Sequence, residues 1–172
     1  MTEGYPVITL CGSTRFRSEF EAAQKRLTLA GVIVISVGLF GHAGDEEVWE
    51  GMDEGTKTRT KDMLDDMHKR KIDMADGIYV INKDGYIGES TRSEIVYAAS
   101  KGKLIRYLEE DPDKICPCCG KYFFTEKNAF EICPVCGWED DRLQRRDPDL
   151  PGGANRLSLN EARAAFRGSQ KG

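Results

Sequence analysis

Long hydrophobic runs are missing from this 172-residue chain. The longest apolar stretch, residues 31–40, is broken by Ser36 and Gly38, whereas a membrane helix needs about 20 apolar residues. The first six residues lack a basic region followed by an apolar one, so no secretory signal is expected. An excess of positive charge is also missing. Lys and Arg total 25 against 29 Asp and Glu, a formal charge of −4. That argues against a generic nucleic-acid coat, which needs a basic footprint. There is no low-complexity tract. These absences predict a globular cytoplasmic protein without a membrane partner.

Cysteine is sparse everywhere except in one place. Cys11 stands alone, and the other five, Cys116, Cys118, Cys119, Cys133 and Cys136, fall within 21 consecutive residues. Disulfides are rare in the cytosol, so clustered cysteines there read first as metal ligands.

The chain before this cluster alternates between apolar runs and amphipathic segments. Residues 7–11 (VITLC) are a short β-rich run ending at Gly12. Phe16, Phe20, Ala23, Leu27 and Ala30 then recur at helical spacing up to Gly31. Residues 32–36 (VIVIS) form a second strand, completing a βαβ unit. Residues 37–56 carry five glycines and several acids and read as a long loop, with room for a fifth strand. A helix over 61–75, a strand over 78–81, a helix over 90–101 and a strand over 104–108 follow. This alternation predicts an α/β fold, a parallel sheet flanked by helices. The polar run 109–114 (EEDPDK) is a natural boundary, giving domains at about 1–110 and 114–172. Near the end, Ser158 and Glu161 form a capping-box pattern that starts a final helix.

Within the cluster, Cys116-Pro-Cys-Cys119-Gly and Cys133-Pro-Val-Cys136-Gly are two copies of CPxCG, separated by thirteen residues. Each copy is a tight turn aiming two sulfurs at one point, and its glycine permits a left-handed backbone. Two such turns supply Cys116, Cys119, Cys133 and Cys136 as a closed tetrahedron for structural Zn²⁺, a zinc ribbon. Reduced core cysteines are the alternative. Cys118 reads as a bystander pointing away from the metal. Residues 114–150 carry six Lys or Arg against seven Asp or Glu, which favours docking of a protein partner over nucleic acid. This segment, with its ICPVC-x-WEDD stretch and GANRLSLNEAR tail, resembles the cysteine-rich CPCC family, a resemblance that brings no activity with it.

Ligands of open parallel sheets bind outside the carboxyl ends of the strands. Two loops are expected at that edge. Gly12-Ser13-Thr14-Arg15 combines a flexible glycine, two hydroxyls and a guanidinium ahead of a helix, a set suited to an anion. A plain turn with Ser13 or Thr14 as N-cap is equally compatible with the residues. The second loop, residues 86–95 (YIGESTRSEI), contains Glu94 three residues after Thr91. Glu94 is either the partner in a capping box or a carboxylate held at the sheet edge toward a ligand.

A strand ending CGS-x-R, a later AD-x-I-x-V-I-N strand and a T-x-x-E-I-x-Y-A-x-x-x-GK helix resemble the nucleoside 2-deoxyribosyltransferase superfamily, which includes the 2'-deoxynucleoside 5'-phosphate N-hydrolases. The resemblance spans about residues 7–108 and implies a Rossmann-like (flavodoxin-like) sheet with no organic cofactor. It implies that Glu94 is a nucleophile attacking C1' of the deoxyribose. It places Asp76 near the base or as the general acid, where local rules alone give a strand-entry turn residue. It places Gly12, Ser13, Arg15, Asn82, Gly88, Ser90 and Thr91 around a nucleoside or its 5'-phosphate. A homo-oligomer is expected, because a neighbouring subunit can complete such a site. Two features depart from the pattern. Gly88 stands where a Ser or Asp is common, and the loop with His42, Asp45, Glu46, Glu47 and Trp49 has no counterpart. His68, among Asp65, Asp66, Lys69 and Arg70, reads as part of a solvated face. The competing function is a non-catalytic nucleotide sensor coupled to a zinc-ribbon docking module.

Overall fold

The structure, a computed structural model, describes residues 4–171. These fall into two compact units divided between Glu109 and Glu110. The larger contains β1 (Val7–Gly12), α1 (Arg17–Leu29), β2 (Ile33–Ile35), α2 (Glu54–Asp73), β3 (Gly77–Ile81), α3 (Glu89–Ser100) and β4 (Leu104–Tyr107). The smaller contains α4 (Arg142–Arg146) and α5 (Leu159–Ser169). No helix among the described residues is long and apolar enough to cross a membrane.

The sheet is parallel throughout, with strand order β2-β1-β3-β4. Strand β1 is central, and its side chains alternate between the two faces. Leu10 faces α1 and packs with Phe20, Ala23 and Ile81. Phe20 is fully buried and meets Phe40 edge-on at 5.5 Å between ring centroids. Truncating so buried a phenylalanine to alanine costs about 3–5 kcal/mol. Thr9 and Cys11 face the opposite way, toward α2: the Thr9 hydroxyl donates to the Lys71 carbonyl at 2.9 Å. Helices α2 and α3 pack against each other and against β1, burying Ile72, Ile95, Ala98 and Ala99.

Three expectations need correction. The loop after β2 contributes no fifth strand; within it, Glu46–Trp49 form a single 3-10 turn. That loop is tied down by the Phe40 amide, which donates to Asp45 at 2.7 Å, and by Arg17, which donates to the Ala43 carbonyl at 3.3 Å. Helix α2 begins at Glu54, seven residues before the start expected at Lys61. Asp53 caps it, accepting from the Thr56 amide at 2.8 Å. Neither Ser13 nor Thr14 caps α1: its N-cap is Phe16, and no side chain bonds there.

Candidate functional site

The order β2-β1-β3-β4 creates a topological switch. The chain leaves β1 toward β2 on one side and returns to β3 on the other. The crevice between the carboxyl ends of β1 and β3 is where such sheets receive ligands. Gly12 ends β1 opposite Ile81. A side chain at Gly12 would sit 2.9 Å from the Ile81 carbonyl oxygen, so only glycine lets the strands close here.

The loops beyond these ends meet through Arg15. Its Nε donates to Ser13 Oγ at 3.1 Å, and its terminal nitrogen donates to Tyr86 Oη at 3.2 Å. The guanidinium carbon lies 4.4 Å from the Tyr86 ring centroid. Gly88 lies beside the same phenol and is the N-cap of α3. Ser13, Arg15, Tyr86, Gly88 and the first turn of α3, with Ser90 and Thr91, are therefore neighbours along one edge. Tyr86 was not anticipated as a site residue, although it lies in the loop that drew attention.

Two anticipated residues do other things. Asp76 precedes β3 at the amino-terminal edge, the opposite end of the strands. Its carboxylate accepts from the Val7 amide at 2.8 Å, joining the entries of β1 and β3. The structure thus places Asp76 at a strand entry, at the edge opposite the one where the resemblance would put a residue near the base or a general acid. Asn82 is fully buried. Its amide nitrogen donates to the Glu109 carbonyl at 3.2 Å and its oxygen accepts from the Glu109 amide at 2.8 Å, fixing the chain after β4.

Glu94 lies in the second turn of α3, which starts at Glu89, so it does not cap its own helix. Its side chain is directed into the seam between α2, α3 and β1. Only 9 % of the residue is exposed, and Oε2 is buried without a hydrogen-bond partner. His68 of α2 and Cys11 of β1 complete the cluster. His68 Nε2 is 3.9 Å from Glu94 Oε2 and 3.5 Å from Cys11 Sγ. His68 is buried, which corrects its assignment to a solvated face. Burial pushes the Glu94 carboxyl up to about 8, and the Cys11 thiol draws it back only in part. Burial lowers His68 to about 4, reinforced by Lys71. The Cys11 thiol is raised well above its usual range, first by burial and then by Glu94. At neutral pH the cluster is therefore a protonated carboxyl, a neutral imidazole and a thiol. That is how a desolvated site avoids stranded charge.

The smaller unit is built around sulfur. The ligand atoms of Cys116, Cys119, Cys133 and Cys136 all lie within 4.8 Å of one another, a group that can hold a metal ion. Cys116 and Cys136 sulfurs are 3.6 Å apart, and those of Cys119 and Cys133 are 3.7 Å apart. Each knuckle folds the same way. The Gly120 amide donates to the Cys116 carbonyl at 2.9 Å, and the Gly137 amide to the Cys133 carbonyl at 2.8 Å. Both glycines have positive φ, 70° and 77°, as the pattern requires. Cys118 stands outside the four-sulfur group.

Polar residues beyond the knuckles hold the rest together. Asp141 caps α4 by accepting from the Leu143 amide at 2.7 Å, and its other oxygen accepts from the Ala154 amide at 2.9 Å. Gln144 is fully buried and donates to the carbonyls of Leu150, Asn155 and Leu157, each at 3.0 Å. Ser158 and Glu161 form the reciprocal capping box of α5. The WEDD stretch and the GANRLSLNEAR tail are thus two halves of one hydrogen-bonded assembly.

No curated protein matches the chain significantly. Residues 114–169, most of the smaller unit, match the model of the family described as Cysteine-rich CPCC.

Proposed function

We propose that the larger unit binds a 2'-deoxynucleoside or its 5'-monophosphate at the β1/β3 edge and that Glu94 acts on its N-glycosidic bond. The observation that carries this reading is a buried carboxyl with an unpartnered oxygen in α3, whose first turn adjoins the Arg15–Tyr86 contact at the β1/β3 switch point. Arg15 and the amino end of α3 suit a phosphate. The step is a displacement. A Glu94 oxygen forms a bond to C1', the C1'–N bond breaks, and its electron pair leaves with the base, which takes a proton. Water then attacks C1' and frees Glu94, giving hydrolysis; a second base in its place gives transfer. Attack requires the ionised carboxylate, so the proton held at rest must leave Glu94 first.

The test is incubation of the chain with deoxynucleosides and their 5'-monophosphates, with chromatography for free base. Glu94→Ala is expected to abolish release while leaving the fold intact. Full release by Glu94→Gln would overturn the reading. A nucleotide sensor that binds without turnover is the second reading, favoured by Gly88, which stands where a Ser or Asp is common in the resembled superfamily. It predicts a thermal shift with nucleotide and no free base.

For the smaller unit, we infer that the four cysteines take structural Zn²⁺. A tetrahedral ion with Zn–S bonds of about 2.3 Å separates its sulfurs by about 3.7–3.8 Å, and the observed separations are 3.6 and 3.7 Å. Cys116, Cys119, Cys133 and Cys136 would hold the ion as four thiolates and so tie the module together. The near-balance of charge over 114–150 supports a protein partner over nucleic acid.

A further inference from the structure

Cys11, His68 and Glu94 offer a sulfur, an imidazole nitrogen and a carboxylate oxygen from three separate elements, all within 4.8 Å of one another. Structural burial alone does not call for this combination. A thioether or an aliphatic side chain would fill the seam without a polar atom to satisfy. Here Glu94 Oε2 is buried and unpartnered, an arrangement that folding ordinarily avoids.

One ligand–ligand separation matches a tetrahedral coordination shell and a second comes close to it. A tetrahedral Zn²⁺ bound at about 2.3 Å to sulfur and about 2.0–2.1 Å to nitrogen sets a sulfur–nitrogen edge of about 3.5 Å. Cys11 Sγ and His68 Nε2 are 3.5 Å apart. The corresponding nitrogen–oxygen edge is about 3.4 Å, and His68 Nε2 to Glu94 Oε2 is 3.9 Å, a difference a small rotation of the Glu94 side chain removes. A mixed sulfur, nitrogen and oxygen set selects against Mg²⁺ and Ca²⁺, which prefer oxygen alone.

We propose that Cys11, His68 and Glu94 form a second divalent-cation site, for Zn²⁺ or a similarly thiophilic ion, separate from the four-cysteine group. Three protein ligands leave a fourth position for water or a ligand oxygen. Coordination releases the Cys11 and Glu94 protons to solvent. Binding of the ion stands independently of the glycosidase reading. Its consequence for activity rests on that reading: a metal-bound Glu94 has no free carboxylate for C1', so the ion inhibits base release.

The test uses the full chain loaded with Cd²⁺, observed by cadmium NMR and counted by native mass spectrometry. Two resonances are expected, one from four sulfurs and one shifted toward nitrogen and oxygen ligation, with two ions per chain. Cys11→Ser and His68→Gln, each checked for folding by circular dichroism, are expected to lose only the second resonance and to bind one ion. A single four-sulfur resonance and one ion per wild-type chain would overturn the site. Two ions per chain with no base release in metal-free buffer would support the site and remove the glycosidase reading. One ion with base release would do the reverse.

Discussion

His68 Nε2 lies 3.9 Å from Glu94 Oε2, and both side chains are buried between α2, α3 and β1. Burial moves the two groups in opposite directions, Glu94 up to about 8 and His68 down to about 4. Without a bound cation, the pair therefore rests uncharged at neutral pH rather than as an ion pair.

That relationship sets a pH dependence of stability. The unfolded Glu94 carboxyl ionises near 4.5, whereas the folded one keeps its proton to about 8. Its contribution is fully present below 4.5 and is lost as pH rises through 8. His68 has the opposite sign: its folded value is about 4 against 6.5, so its contribution is present above 6.5 and lost as pH falls through 4. The two slopes cancel between about 4.5 and 6.5. From 6.5 to 8 the Glu94 loss is uncompensated, at up to about 1.4 kcal/mol per pH unit. Urea unfolding without added metal should show this loss in the wild type and its absence in Glu94→Gln.

Chelation is expected to unfold the smaller unit and spare the sheet, because a bound metal would supply much of the folding energy of so small a module. Hydrogen exchange should show protection lost from the knuckles and α5, with β1 and β3 unchanged. Retained protection after complete metal removal would show that the four cysteines are ordinary reduced core residues.

Asp141→Ala removes a helix cap and the acceptor for Ala154 together. A cap alone is worth about 0.5–2 kcal/mol, so the metal-loaded smaller unit should lose at least about 1 kcal/mol in urea unfolding. Gly153→Ala should destabilise independently, since the added methyl would stand 2.6 Å from the Asp141 carboxylate.

Arg15→Ala separates the two substrate classes. Losing a charge-assisted hydrogen bond of about 1.5–3 kcal/mol should weaken 5'-monophosphate binding about 10- to 100-fold. Binding of the free nucleoside should change little. Calorimetry on both ligands measures the difference, and equal losses for both would place Arg15 away from the phosphate.

The sheet was legible because each strand is a short β-rich run closed by glycine or a polar residue, and each crossover after β1 and β3 carries an apolar face. The four-cysteine group was legible because its turns repeat in sequence. The first two turns of α2 escaped because residues 54–60 (EGTKTRT) have no apolar face; the Asp53 cap was their only signal. His68 was masked by its charged neighbours, yet it lies four residues after Leu64 and four before Ile72, on the apolar stripe of α2. Cys11 shares a strand face with Thr9, and only the structure shows that this face meets α2. Asp76 shows the opposite limit. Its motif gave the residue type, but its position just before β3 puts it at the wrong end of the sheet for Glu94.

Covalent capture at Glu94 tests the central claim most directly. The chain is quenched during exposure to a 2'-deoxynucleoside 5'-monophosphate, digested and examined by mass spectrometry. A deoxyribosyl-phosphate ester on the peptide containing Glu94, absent in Glu94→Gln and accompanied by free base, is the predicted result. Base release with no adduct on that peptide, and undiminished in Glu94→Gln, would contradict it.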